Sequence, residues 1–102
     1  MQENQKYFST LFIMINNTYL GEEAKAWLKR KNGPGEIVRV LPDMGNNGVT
    51  GYELYTAYDK EPDYLGRVLF DAQGYWIYDG ETLTIAEQEQ MAKFIINHVK
   101  AF

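Results

Sequence analysis

The architecture follows from the stretch LGRVLFDAQGYWIY, residues 65–78. Residues 65–70 and 75–78 are extended, apolar and aromatic in character, which favours β-strands. The intervening residues 71–74, Asp-Ala-Gln-Gly, end in glycine, as a tight hairpin turn requires. Strands joined by so short a connection are antiparallel neighbours. The stretch therefore predicts a β-hairpin.

Two further strands are predicted upstream of this hairpin. Residues 36–41 are rich in β-branched side chains, and residues 52–58 alternate between two faces. Between them, residues 42–51 contain three glycines and two asparagines, which predicts a loop. Residues 59–63, which include Pro62, predict a turn. Together with the hairpin, these segments predict an antiparallel meander of four strands.

A helix is predicted over residues 19–31, in the N-terminal half. Glutamates fall in its first turn and basic residues in its last, as the helix dipole favours. The sequence Asn-Gly-Pro-Gly of residues 32–35 is a typical helix stop. The apolar residues at helical spacing are Leu20, Ala24, Trp27 and Leu28.

A second helix is predicted over residues 85–101. Thr84 is its predicted N-cap, and Glu87, three residues later, completes a capping box. Met91 and Phe94 make the apolar face wider than one contact with a sheet needs. The other residues of that face are Ile85, Ala92, Ile95, Ile96, Val99 and Phe102.

The N-terminal residues are less informative. Residues 1–5 are polar and are expected to be frayed. Residues 7–15 could form a strand or a short helix by their periodicity, and we favour a buried strand because the polar residues 16–18 end the pattern. The predicted fold is thus a single α+β domain over residues 1–102. It has a four- to five-stranded antiparallel meander sheet, with the N-terminal-half helix and the C-terminal helix packed on one face.

Charge and hydropathy argue against two kinds of partner. Fourteen acidic and ten basic residues give a net charge of −4. The one basic cluster, residues 29–31, is expected to end the first helix rather than to contact phosphates, so no nucleic acid is expected as a partner. The longest apolar run, residues 11–15, is far shorter than the ~18 residues of a membrane-spanning helix. No membrane contact is therefore expected, and the cytoplasm is the expected location.

Few residues could carry catalysis. The chain has no cysteine, one histidine (His98) and one serine (Ser9), which excludes thiol nucleophiles and cysteine-based zinc sites. No catalytic residue, metal or cofactor is predicted. A carboxylate enzyme that uses Asp71 or Asp79 with a neighbouring tyrosine is a remote hypothesis, and we expect a non-enzymatic protein.

The aromatic content indicates an interaction surface. Aromatic residues make up 15% of the chain, more than one small core is expected to hide. We expect binding to a protein partner or to a second copy as a homodimer, through an aromatic-rich sheet face and the C-terminal helix. A pocket for a small ligand, lined by tyrosine and tryptophan, is the alternative. The candidate interaction residues are Tyr55, Tyr58, Tyr75, Trp76, Tyr78, Met91, Phe94 and His98.

Overall fold

A computed structural model describes residues 19–44 and 48–98 of the chain. These residues form a five-stranded antiparallel sheet followed by one α-helix. The strands lie side by side in the order of the sequence, so the predicted antiparallel meander and the α+β class are confirmed. The elements are β1 (Ala24–Leu28), β2 (Glu36–Met44), β3 (Thr50–Thr56), β4 (Tyr64–Phe70), β5 (Trp76–Asp79) and α1 (Ile85–Ile96). The strand predicted over residues 7–15 and the frayed residues 1–5 lie outside the described residues.

One face of the sheet packs against α1 and forms the core. Because strand side chains alternate between the two faces, every second residue of each strand points toward the helix. The opposite face, which we call the open face, has no other described element packed on it. The side chains that are fully buried between the sheet and α1 are Leu28, Val38, Val40, Leu54, Val68, Met91 and Ile95.

The helix predicted over residues 19–31 is wrong, because this region contains β1. Ala26 and Leu28 are buried, whereas Lys25 and Trp27 are exposed, which is the alternation of a strand. Pairing of β1 with β2 therefore overrides the local helix propensity of the Ala, Glu and Lys residues. Leu20 is buried for a separate reason: its N–H donates to the carbonyl of Ile95 over 3.1 Å, which docks it beside the end of α1.

The loop predicted over residues 42–51 begins too early, because β2 continues through Pro42 to Met44 and β3 begins at Thr50. The N–H of Ala57 donates to the carbonyl of Ile37 over 2.9 Å, and hydrogen-bonded positions alternate along an antiparallel pair. Pro42 therefore directs its nitrogen away from β3, toward the side of β1. β1 has already ended there, since the last pair of the ladder is Ala24 with Val40. Pro42 thus costs the sheet no hydrogen bond.

The predicted β4–β5 hairpin is confirmed. Its turn has Gly74 at φ +92°, and the N–H of Gly74 donates to the carbonyl of Asp71. The N–H of Asp71 in turn donates to the carbonyl of Tyr75 over 2.9 Å. This is a three-residue hairpin loop whose last position needs the left-handed conformation that glycine adopts at no steric cost.

The helix α1 begins at the predicted residue and ends earlier than predicted. The side chain of Thr84 accepts from the N–H of Glu87, and the side chain of Glu87 accepts from the N–H of Thr84, so the capping box is confirmed. The helix ends at Ile96 rather than at residue 101, and residues 99–102 lie outside the described part of the chain. Ile85, expected on the buried face, is exposed.

Tyr78 links β5 to β4 and to the loop that precedes α1. Its hydroxyl donates to the carbonyl of Leu65 and accepts from the N–H groups of Thr82 and Leu83, each over 3.2 Å. Its ring lies over Gly66, where a Cβ would approach the Tyr78 hydroxyl to 2.6 Å. Gly66 also has φ +103°, so this position requires glycine for both reasons.

Replacement of the helix cap should destabilise the fold. We expect Thr84→Ala to lower the free energy of unfolding by about 1 kcal/mol, because the N–H of Glu87 loses its acceptor. Urea denaturation followed by circular dichroism measures the change. Thr82→Ala, two residues earlier in the exposed loop, is the matched control. Equal losses in the two variants would contradict the capping role.

The Tyr78 hydroxyl should stabilise the fold much more than an exposed tyrosine hydroxyl does. We expect Tyr78→Phe to lower the free energy of unfolding by about 1–3 kcal/mol, because two N–H groups and one carbonyl lose their partner. Tyr75→Phe, at a ring that is 74% exposed, should change it by less than about 0.5 kcal/mol. The comparison uses the same denaturation experiment, and a neutral Tyr78→Phe would overturn this assignment.

Candidate interaction surface

A row of paired charges crosses the middle of the open face. The strand register aligns Glu53 of β3 with Arg67 of β4, and Arg67 with Asp79 of β5. Arg67 Nε donates to Asp79 Oδ2 over 2.9 Å, and Arg67 Nη1 lies 4.0 Å from Glu53 Oε2. One guanidinium therefore lies between these two carboxylates and offsets part of their negative charge.

Tyr64 extends this row. Its hydroxyl donates to Glu53 Oε1 over 2.7 Å. Partial desolvation of the hydroxyl raises the pKa of Tyr64 to about 12, and the hydrogen bond to the Glu53 carboxylate adds to the rise. The phenol thus stays protonated and holds Glu53 in place. Its ring lies 5.2 Å from the ring of Tyr55, centre to centre.

Aromatic side chains also lie at the β1 end of the sheet. Trp27 is 61% exposed, and one edge of its indole lies over Gly35, where a Cβ would be only 2.1 Å from the ring. Tyr58, directly after β3, has φ +41° and an exposed ring. Lys25 Nζ lies 5.8 Å from the centre of that ring, within the range of a cation–π contact. The Trp27 ring is therefore covered in part by the backbone at Gly35, and the Tyr58 ring has Lys25 beside it.

The β5 end of the open face is apolar. We call Val49, Leu69, Tyr75 and Ile77 the β5 patch. Ile77 is 63% exposed and Tyr75 is 74% exposed. Leu69 and Ile77 are direct neighbours across the β4–β5 ladder. With Phe70, Asp71 and Trp76, the patch lines an open cleft of about 270 Å³.

A larger groove of about 580 Å³ lies between the end of β1 and the start of α1. Arg30 crosses it and pairs with Glu87 over 3.3 Å and with Glu36 over 3.4 Å. The side-chain amide of Gln90 lies beside it and exchanges two hydrogen bonds with the backbone of Lys29, over 2.7 and 2.8 Å. These contacts of Arg30 and Gln90 thus help to hold α1 to β1.

The structure does not bring the eight candidate interaction residues together. Tyr55 lies on the open face, the ring of Tyr58 lies beside Lys25, and Tyr75 lies beside Leu69 and Ile77. Trp76 and Tyr78 point toward the helix-covered side, where they pack against the core. The remaining three belong to the helix region: Met91 is fully buried, Phe94 is half-buried, and the ring of His98 lies 5.6 Å from that of Phe94.

Sequence reasoning missed the exposed residues that now stand out. Trp27 was assigned to the buried face of a predicted helix, and Val49, Tyr64 and Ile77 were not singled out. The alternation of Ala24, Ala26 and Leu28 is the pattern that could have placed Trp27 on the opposite face. For Ile77, only the register with Leu69 shows that two apolar side chains meet on the open face.

The two aspartates of the enzyme hypothesis have structural partners. Asp71 Oδ1 accepts from the N–H groups of Gln73 and Tyr75, over 2.9 and 3.0 Å, and so closes the hairpin turn. Asp79 pairs with Arg67. Both side chains are exposed. Within residues 19–44 and 48–98 there is no group of three His, Cys, Asp or Glu side chains that could hold a metal ion.

Comparisons with known proteins add no assignment. No protein-family model matches the chain, and neither the curated proteins nor the solved structures contain a match to it. Among the described residues, no helix has the length and the apolar composition needed to cross a bilayer.

The hydrogen bond from Tyr64 to Glu53 should be visible in how the stability and the tyrosinate absorbance of the protein depend on pH. The pKa of Tyr64 is higher in the folded chain, about 12, than its ordinary value of 10.0. The stabilisation that this bond provides is therefore complete below pH 10 and is lost as the pH rises toward 12. The tyrosinate absorbance of the wild type minus that of Tyr64→Phe should titrate near 12. Glu53→Gln should move this midpoint toward 10, and a wild-type midpoint already near 10 would refute the assignment.

Proposed function

We propose that this protein acts by contact rather than by catalysis, and that its partner is a second copy of the chain bound through the β5 patch. The observation that carries the proposal is the exposure of Ile77 and Tyr75 beside Leu69 and Val49, on a face where the central charges of Glu53, Arg67 and Asp79 are paired with one another. The proposed location is the cytoplasm, as the sequence leads us to expect.

The physical argument rests on the exposed apolar area. Burial of one isoleucine side chain contributes about 1.5–3 kcal/mol, and Ile77 leaves most of this gain unused in the single chain. Tyrosine at a contact adds a large ring that loses little rotamer entropy. A contiguous apolar patch that is bordered by paired charges is typical of a protein contact surface.

The charges beside the patch favour association rather than chemistry. Asp79 borders the patch, and its carboxylate is already bound by Arg67. Burial of this pair in an interface would therefore not leave an isolated charge without a partner. Because Arg67 already binds the Asp79 carboxylate, this group is a poor candidate for a catalytic acid or base.

A second candidate function is binding of a small, flat apolar ligand in the cleft beside the patch. The lining by Trp76, Tyr75 and Phe70 supports it. The volume of about 270 Å³ lies just below the ~300–1,000 Å³ of typical ligand pockets, and the cleft is open on one side. Quenching of tryptophan fluorescence by aromatic metabolites, with no change in the mass of the protein in solution, would favour this function over association.

The self-association should depend on Ile77. In sedimentation equilibrium, we expect the wild type to shift from monomer to dimer as its concentration rises. Ile77→Lys should raise the dimer dissociation constant at least about tenfold, because a charge replaces the apolar contact. Ile85→Lys is the matched control: Ile85 is 73% exposed but lies at the start of α1, away from β5.

The proposed function would be refuted by a wild type that stays monomeric up to millimolar concentration. An equal weakening by Ile77→Lys and Ile85→Lys would also contradict it, since association would then not involve the β5 patch. Circular dichroism of both variants checks that each still folds.

A further inference from the structure

We infer that two copies of the chain associate edge to edge, with β5 of one copy antiparallel to β5 of the other and Ile77 at the two-fold axis. This inference rests on the proposed function and specifies the geometry of the proposed dimer. It would join two five-stranded sheets into one sheet of ten strands, whose open face is continuous across both copies.

The two edges of the sheet differ in how they are protected. At the β1 edge, the amide of Gln90 donates to and accepts from the backbone of Lys29, directly beyond the strand. β1 also carries Lys25, and lysine on an edge strand discourages pairing with another chain. β5 has no lysine, proline or bulge, and its one charge, Asp79, is bound to Arg67. β5 is therefore the edge suited to pairing.

The hydrogen bond that closes the hairpin identifies the free groups of β5. Because Asp71 and Tyr75 form a hydrogen-bonded pair, the next such pair is Leu69 with Ile77. Ile77 thus directs its N–H and C=O toward β4. Trp76 and Tyr78 direct theirs outward, and within residues 19–44 and 48–98 these groups have no hydrogen-bond partner. Unpaired backbone groups on an edge are a template for another strand.

The register with Ile77 on the axis uses all of these groups. Trp76 then faces Tyr78 of the second copy, and Tyr78 faces Trp76, so both residues of each copy exchange N–H and C=O with the other strand. If the axis passed through Trp76 or through Tyr78, only that residue would pair with its counterpart within the strands. The partner of the other would be Gly74 or Gly80, which lie outside β5.

Side-chain chemistry favours the same register. On the open face, Ile77 meets its own counterpart, which buries the most exposed aliphatic side chain of the strand. Tyr75 and Asp79 of one copy face Asp79 and Tyr75 of the other, so no like charges oppose each other. If the axis passed through Tyr78, Ile77 would face the carboxylate of Asp79. The Ile77 register is thus self-complementary in both polarity and charge.

The test combines disulfide cross-linking through a single introduced cysteine with amide hydrogen exchange measured by NMR. The chain has no cysteine, so Ile77→Cys introduces the only thiol. The Cα atoms of facing residues that are not hydrogen-bonded lie about 4.5 Å apart in an antiparallel pair, a distance that a disulfide can span. We expect mild oxidation to give a covalent dimer of Ile77→Cys, and no covalent dimer of Ile85→Cys under the same conditions.

Amide exchange by NMR separates edge pairing from packing of two open faces. In the wild-type dimer, the amides of Trp76 and Tyr78 should exchange at least about tenfold more slowly than in the dilute monomer. The amide of Ile77, bonded to β4 in both states, is the internal control for this comparison. Slowed exchange together with the covalent Ile77→Cys dimer is the result that supports the inference.

The outcomes distinguish the inference from the proposed function. A wild type that dimerises and is weakened by Ile77→Lys, but whose Trp76 and Tyr78 amides exchange equally fast in both states, would overturn edge pairing and leave association through the patch intact. Failure of Ile77→Cys to cross-link in such a dimer would also exclude the proposed register. A wild type that does not dimerise would overturn both.

Discussion

The packing of one helix against one face of the sheet is the constraint on which the rest of the described structure depends. A helix of 12 residues is about 18 Å long, similar to the ~19 Å width of five strands. α1 can therefore bury the core face through Met91, Ala92 and Ile95, but it cannot reach the other face. The open face must satisfy its polar and apolar groups in another way. The row of Tyr64, Glu53, Arg67 and Asp79 does so for the polar groups, while the β5 patch keeps its apolar area exposed.

The two ends of the meander illustrate how a small sheet handles its edges. At the β1 end, residues distant in sequence come together, since Lys29 and Gln90 are 61 positions apart. That contact ties the helix to the sheet and also occupies backbone groups beyond the strand. At the β5 end, Tyr78 uses its hydroxyl to bind the backbone of β4 and of the loop before α1, but its N–H and C=O point outward. The side chain is thus fixed within the chain, while no residue of the described ranges pairs with this backbone edge.

The sequence patterns gave correct predictions where the stabilising interactions join residues that are close together in the chain. The turn around Gly74 and the capping box of Thr84 and Glu87 depend on residues within four positions of one another, and both were predicted correctly. Residues 19–31 show the opposite case. Ala24, Trp27 and Leu28 suit one face of a helix, while Ala24, Ala26 and Leu28 suit one face of a strand, and nothing in the segment separates the two patterns. Pairing with β2 makes this segment a strand, so Trp27 is exposed rather than buried as the helix prediction implied.

The same distinction between local and long-range interactions applies to the candidate interaction surface. Composition predicts that some rings remain outside the core, and the alternation along each strand predicts that they occupy both faces. Which face α1 covers depends on contacts between residues far apart in the chain, such as Leu20 with Ile95, and these have no local pattern. Turns, caps and strand character follow from the amino-acid sequence, because their energies arise between near neighbours. The choice of strand over helix for β1, the passage of β2 through Pro42 and the exposure of Ile77 follow from the assembled sheet, because each depends on which strand lies alongside.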